Sequence, residues 1–331
     1  MDDGAARLEK LRRRNGICLR MPNWLGDNVM ALPILRSLRL CRPSEPLTLL
    51  CQPAYAKWLE ALALADAVIP LPRRGISYFF RLGGVSYARP NLYVTFTNSF
   101  RGAVESLILG APVRIGFAAK RARRQWWLTN LPPDRVDGLH RTAFWHMSLG
   151  VCGLSSGLSD EPIPVERRSL GKSPSIAIFC GASNDRRTKC WPVEKWRELA
   201  LELVALLPDV RLLLLGAPCD VSDAREICRG LPDGCAADLA GATTVLELAK
   251  VLCRCDLAIS ADSGGMHLAN CCAVPTVALF GPSNPLETGP FYVAPKAVVQ
   301  PPNCPPGGGL PMELIPVSAV VESALQLLAQ R

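Results

Sequence analysis

Short continuous apolar runs recur along the chain, each followed by a Gly, Pro, Asn or Asp loop and then by a longer segment of helical periodicity. In the first half Ile17–Arg20, Leu47–Cys51, Ala67–Pro70 and Leu92–Phe96 read as strands. Helices are expected from the Pro22–Asp27 loop to about Arg39, near Ala54–Leu64 and over Arg101–Leu109. In the second half Ser175–Cys180, Val210–Leu215, Leu257–Ser260 and Thr276–Phe280 are the apolar runs. Helix candidates between them are Pro192–Leu207, Asp220–Arg229, Thr244–Cys253 and Ser263–Cys272. Runs this short with no polar alternate face suit parallel strands buried on both sides. Their alternation with helices implies parallel sheets covered on both faces. The rhythm lapses over Leu154–Ser173, a Ser, Gly and Pro-rich stretch read as an interdomain linker, and again over Val293–Pro311 before a last amphipathic helix at Val317–Gln330. Two doubly wound α/β domains facing a cleft are therefore expected, with ligands just beyond the carboxyl ends of the strands.

Composition narrows the class. At 331 residues, 49% hydrophobic and 20% charged, the chain can bury two cores and is not a disordered polymer. Its net charge of +8 is uneven: residues 1–170 hold 24 basic and 13 acidic side chains, residues 171–331 hold 13 and 16. The basic half is expected to meet an anionic partner, whether nucleic acid, phosphorylated glycolipid or membrane surface. No apolar run reaches a membrane-spanning length of about 18 residues, and Met1-Asp2-Asp3-Gly4 followed by Arg12-Arg13-Arg14 lacks the core of a signal peptide. The 14 cysteines include Cys253/Cys255 and Cys271/Cys272 but no C-x-x-C pair, and read as reduced, mostly buried side chains of a cytosolic protein.

The strand ends carry the candidate chemistry. Met21-Pro22-Asn23-Trp24-Leu25-Gly26-Asp27-Asn28 follows the first strand, with neither a G-x-G-x-x-G nor a Walker phosphate loop. Asp27 is either a helix cap or a general base at a cleft edge. Gly181–Pro192 is a small-residue loop with Arg186, Arg187 and Lys189, read as either an anion site or a solvated loop. Ser260-Ala261-Asp262-Ser263-Gly264-Gly265-Met266-His267 offers backbone N–H groups at a helix start, where a pyrophosphate is favoured. His267 is either structural or functional. Gly281-Pro282-Ser283 makes another sharp turn on the same edge. No His, Asp or Glu cluster has metal-ligand spacing and no G-x-S-x-G elbow occurs.

Taken together, Pro22–Asp27, Asn98-Ser99-Phe100-Arg101, Arg114-Ile115-Gly116-Phe117, Lys189-Cys190-Trp191-Pro192, Asp262–His267 and Gly281-Pro282-Ser283 resemble the ordered motifs of glycosyltransferase family 9. These are the ADP-heptose:lipopolysaccharide heptosyltransferases, and the chain is most like their type II members from about Ile17 to Leu328. The resemblance implies a GT-B fold: residues 1–160 as an acceptor domain, 174–315 as a donor domain and 316–331 as a C-terminal helix, the two Rossmann-like domains facing a central cleft. It implies inverting transfer of L-glycero-D-manno-heptose from ADP-heptose to the phosphorylated Kdo-lipid A inner core. No cofactor is implied, and stimulation by Mg2+ is left open.

By carry-over Asp27 is the base, and Ser183, Lys189, Asp220, Asp262, Ser263, Gly264, Gly265 and His267 hold the donor. Asn98, Arg101, Arg121, Arg123 and Arg124 are assigned to the acceptor side. A monomer at the inner face of the inner membrane is implied, without nucleic acid. The family's Pro-Gly-Ala is Cys180-Gly181-Ala182 here and the loop to Lys189 is one residue longer, which leaves Arg186 and Arg187 as alternative phosphate contacts. The Pro/Gly run around Cys304 departs from relatives and is a candidate for different acceptor contacts. The alternatives are a family 9 enzyme with another sugar or acceptor, a GT-B sugar-nucleotide epimerase, and a nucleic-acid binder using the basic aromatic run Lys120–Trp127.

Overall fold

The computed structural model describes residues 16–84, 89–97, 99–117, 128–129, 136–163, 173–181 and 189–330. They divide into two compact units, Met1–Ser159 and Asp160–Arg331. The first unit is built in chain order from β1 (Ile17–Arg20), α1 (Leu25–Cys41), β2 (Leu47–Cys51), α2 (Ala56–Ala61), β3 (Ala67–Pro70), α3 (Tyr78–Gly84), β4 (Leu92–Thr95), α4 (Phe100–Ile108), β5 (Val113–Gly116) and α5 (Arg141–Val151). Its five strands are parallel in the order β3-β2-β1-β4-β5. Ile17 pairs with Leu47 on one side and Leu92 on the other. All four residues of β1 are buried, as the uninterrupted run predicts for a central parallel strand.

The second unit holds β6 (Ser175–Phe179), α6 (Val193–Leu206), β7 (Arg211–Leu214), α7 (Val221–Cys228), β8 (Ala236–Asp238), α8 (Val245–Leu252), β9 (Leu257–Ala261), α9 (Gly264–Cys271), β10 (Thr276–Leu279), α10 (Pro285–Thr288), β11 (Lys296–Val299) and α11 (Val317–Leu328). Its six parallel strands run in the order β11-β10-β9-β6-β7-β8. The core gathers Ile176, Ile178, Trp196, Leu199, Leu212, Leu257 and Ile259 with the inner face of α11, Val317, Val320, Val321, Ala324 and Leu327. The last helix is therefore a wall of this unit's core.

In each sheet the chain steps outward from a central strand and then crosses back to its other side. That leaves a topological switch point between β1 and β4 in the first unit and between β6 and β9 in the second. Asp27 follows β1, and Asp262 follows β9. Of the stretch read as a linker, Leu154 is buried and Ser156 is bonded to the Ser37 hydroxyl in the first unit, whereas Ile163 donates to Cys271 O in the second at 2.9 Å. Buried thiols serve the cores: burial pushes Cys18, Cys51 and Cys180 up to about 12.

Candidate active site

In the first unit the loop after β1 is held from below by a buried charge network. Arg20, the last residue of β1, is 3% exposed and its Nε donates to Glu105 Oε2 at 2.8 Å. Its other nitrogens donate to Met21 O and, at 3.0 Å, to Asn23 Oδ1. Glu105 is fully buried on the inner face of α4 and also accepts from the Tyr78 and Tyr93 hydroxyls. Burial, first, and the hydrogen bond to Glu105, second, push the Tyr78 hydroxyl pKa up, so it stays a donor. Asn23 Oδ1 also accepts from Gln52 Nε2 at 2.9 Å, and Asn28 Nδ2 donates to Pro22 O and Trp24 O at 2.9 and 2.7 Å. The Pro22–Trp24 loop is thus pinned through its backbone and through Asn23.

That pinned loop presents Asp27 to a cavity of about 360 Å³. The reading of Asp27 as a helix cap is corrected: Trp24 occupies the cap position without a side-chain bond, and Asp27 lies in the first turn. Its carboxylate is ion-paired with Arg141 at the start of α5. Phe96, Phe117, Phe144 and Trp145 supply an aromatic wall, with Phe96 and Phe117 stacked at 5.2 Å between ring centroids and Phe96 edge-on to Trp145 at 4.9 Å. Thr97 and Ser99 add hydroxyls from the end of β4, where Ser99 Oγ caps α4 by accepting from Gly102 N at 3.1 Å. Gly102 lets the Thr97 hydroxyl sit against the helix start, since a Cβ would lie 2.3 Å from Thr97 Oγ1 and displace it.

In the second unit Lys189 Nζ lies 2.8 Å from Asp262 Oδ2, with the aspartate side chain 8% exposed and the lysine 38%. Two residues beyond Lys189, buried Trp191 is anchored by donating from Nε1 to Ile315 O at 3.2 Å and by packing edge-on to Trp196. Ser263 caps α9 without a side-chain bond, its hydroxyl lying 3.0 Å from that of Ser260. Gly265 lets the helix press against β6: a Cβ would lie 2.3 Å from the Phe179 ring. His267 is buried within the first turn of α9. Asp220 is 7% exposed, accepts from Ala217 N at 2.8 Å and packs against Gly181 and Gly216, where a Cβ would lie 2.1 and 2.7 Å from its oxygens. The Pro/Gly run folds onto the Gly281–Ser283 turn, with Gly309 N donating to Gly281 O at 2.9 Å and Gly308 at a φ of +79° against Ser283 O.

The family model described as Glycosyltransferase family 9 (heptosyltransferase) matches residues 152–306. Lipooligosaccharide heptosyltransferase 2 of Campylobacter jejuni is 43% identical over 294 residues, 83% of each chain. This chain belongs to glycosyltransferase family 9. Lipopolysaccharide heptosyltransferase 2 of Escherichia coli is 24% identical over 308 residues, 82% of this chain and 84% of its own. The structure of E. coli ADP-heptose lps heptosyltransferase II superposes with a TM-score of 0.82 at 24% identity, covering 95% of this chain and 99% of that one. The fold is accordingly GT-B, and the chain is a transferase.

Among the carried-over residues of this family 9 chain, Asp27 lines the first unit's cavity, while Arg101 is exposed on α4 with its guanidinium 5.3 Å from the Tyr78 ring centre. Lys189, Asp262, Ser263, Gly264, Gly265 and His267 gather at the carboxyl edge of β9, and Asp220 stands after β7. Asn98, Arg121, Arg123, Arg124, Ser183, Arg186 and Arg187 lie outside the described residues. Arg141, Arg20 and Glu105 were not foreseen. A signal existed for each. Arginine in the first turn of a helix opposes the dipole and calls for an anion. A charge closing an apolar strand, and an acid on a helix's buried face, call for each other.

Proposed function

We propose that this chain transfers L-glycero-D-manno-heptose from ADP-heptose to the inner core of lipopolysaccharide, with Asp27 as the general base. The observation that carries the assignment of the base is the ion pair of Asp27 with Arg141, both lining an aromatic and hydroxyl-bearing cavity near the switch point of the first sheet. In this reading an acceptor hydroxyl gives its proton to Asp27 and its oxygen attacks the anomeric carbon opposite the leaving ADP, inverting the configuration. The bond to the β-phosphate oxygen breaks with its electron pair, and the charge passes to the pyrophosphate. Lys189 and the N–H groups of Ser263–Gly265 meet that charge; Asp262 holds the lysine at the helix start. Aromatic faces and hydroxyls suit a sugar ring in the acceptor cavity.

Arg141 acts through Asp27, as a positioning residue. Arg141→Ala is expected to lower kcat by about 10–100-fold with ADP affinity unchanged, and Arg141→Lys to recover part of it. Equal rates for the alanine and unsubstituted proteins count against the role. Lys189→Ala is expected to weaken ADP binding by about tenfold and to slow transfer as well. Unchanged calorimetric affinity moves the pyrophosphate contact to Arg186 or Arg187. The donor itself is tested by following ADP release from ADP-heptose with a defined inner-core acceptor. Turnover with another ADP-sugar and none with ADP-heptose replaces the donor assignment.

Among the described residues no helix is long and apolar enough to cross a membrane. The reading places the protein peripherally at the inner face of the inner membrane, supported by the excess of basic side chains in its first half.

A further inference from the structure

The first unit displays an apolar surface that its own fold leaves uncovered. After β3 the chain turns through Pro72–Ser77 and enters α3, which is fixed inward by Tyr78 and Leu82, both buried against Cys18, Leu50, Leu71 and Tyr93. Four residues apart, these two anchors define the inner face of the helix. The opposite side holds Phe80 at 88% exposure and Ile76, just before the helix, at 108%, with Phe79 beside them at 39%. Three large apolar side chains within five residues are a cluster, unlike the scattered single ones usual on soluble surfaces.

Within the Arg73–Gly84 segment the charge has one sign. Arg73, Arg74 and Arg81 are exposed within the same segment. From Ala67 to Pro133 the sequence has ten basic residues and one acid, and that acid, Glu105, is fully buried against Arg20. An apolar cluster flanked in its own segment by three exposed arginines and no acid fits a surface that is apolar within and anionic at its face. Guanidinium groups remain with the phosphates while the aromatic and aliphatic side chains enter the acyl boundary.

We infer that the Arg73–Gly84 segment docks the protein on an anionic lipid bilayer through Ile76, Phe79 and Phe80. This deepens the membrane contact proposed above and needs neither donor nor acceptor. The same helix sends the Tyr78 hydroxyl to Glu105, which holds Arg20 and, through it, the Asn23 side chain beside Asp27. The docking helix and the loop bearing the base therefore share one buried support.

The test is co-sedimentation of the full chain with phosphatidylglycerol-rich and with pure phosphatidylcholine vesicles, in the absence of any sugar substrate. Binding is expected to phosphatidylglycerol alone and to fall as salt rises. Ile76→Ser/Phe80→Ser is expected to weaken it by at least about fivefold, with an unchanged melting temperature because both positions are exposed. Arg81→Glu is expected to weaken it as well. A double variant within about fivefold of the unsubstituted protein overturns the inference. So does equal binding to both vesicle types, or none to either, including the case in which the patch proves to hold another protein. Failure here leaves transfer from ADP-heptose intact, since vesicle binding is read without turnover.

Discussion

Asp27→Ala is expected to reduce turnover by about 10²–10⁴-fold while leaving ADP affinity unchanged. The carboxylate is the acid that the described part of the first unit's cavity presents, and the residues assigned to the nucleotide belong to the second unit. A loss confined to kcat is therefore the signature of a group acting on the acceptor hydroxyl. Asp27→Asn sharpens the test, because it keeps the shape and can still face Arg141 but has no useful basicity. It is expected to be nearly as slow as the alanine variant. Isothermal titration with ADP beside initial rates checks both. Near-normal kcat in either variant removes Asp27 as the base, and a parallel loss of ADP affinity assigns it to donor binding.

Glu105→Ala carries the largest expected effect on stability. Glu105 is fully buried, and Arg20, Tyr78 and Tyr93 all direct donors at it. Its removal strands the Arg20 guanidinium, itself 3% exposed, without a counter-charge. Breaking one side of such a pair costs about 3–5 kcal/mol, more than the pair contributes relative to an apolar replacement. Denaturant unfolding followed by a signal from the first unit reads the cost. A loss near 0.5 kcal/mol, of the order of an exposed ion pair, contradicts the network's role. Glu105→Gln keeps the shape and one acceptor and is expected to fall between. Because Arg20 also holds Asn23, folded Glu105→Gln should turn over more slowly without losing ADP affinity.

The strands were readable because parallel strands buried on both faces appear as uninterrupted apolar runs. Ile17–Arg20 and Leu47–Cys51, buried throughout, begin and end as the pattern predicts. Three of the four edge strands escaped it for the complementary reason; the fourth, Ala67–Pro70, was read although only Ala67 is buried. Val113–Gly116, Ala236–Asp238 and Lys296–Val299 lie at the sheet margins, keep exposed or half-exposed positions and are short. Helix α3 was missed because Ile76, Phe79 and Phe80 obscure the spacing of its two buried anchors, Tyr78 and Leu82. Asp27, Lys189 and Asp262 were singled out as candidates by the loops that follow apolar runs. Their pairings were not legible, since Arg141 is 114 positions from Asp27 and Asp262 is 73 from Lys189. Only folding makes such pairs neighbours. Asp220 shows the reverse: a strand-end acid whose carboxylate closes its own turn through Ala217 N.

The most direct test of heptose transfer is product analysis by mass spectrometry and anomeric NMR, using purified protein, ADP-heptose and defined inner-core acceptors. The account predicts an acceptor heavier by one heptose, linked with the anomeric configuration opposite to the donor's, with ADP released in equal amount. A product that retains the donor's configuration, or ADP released without any heptosylated acceptor, would contradict it.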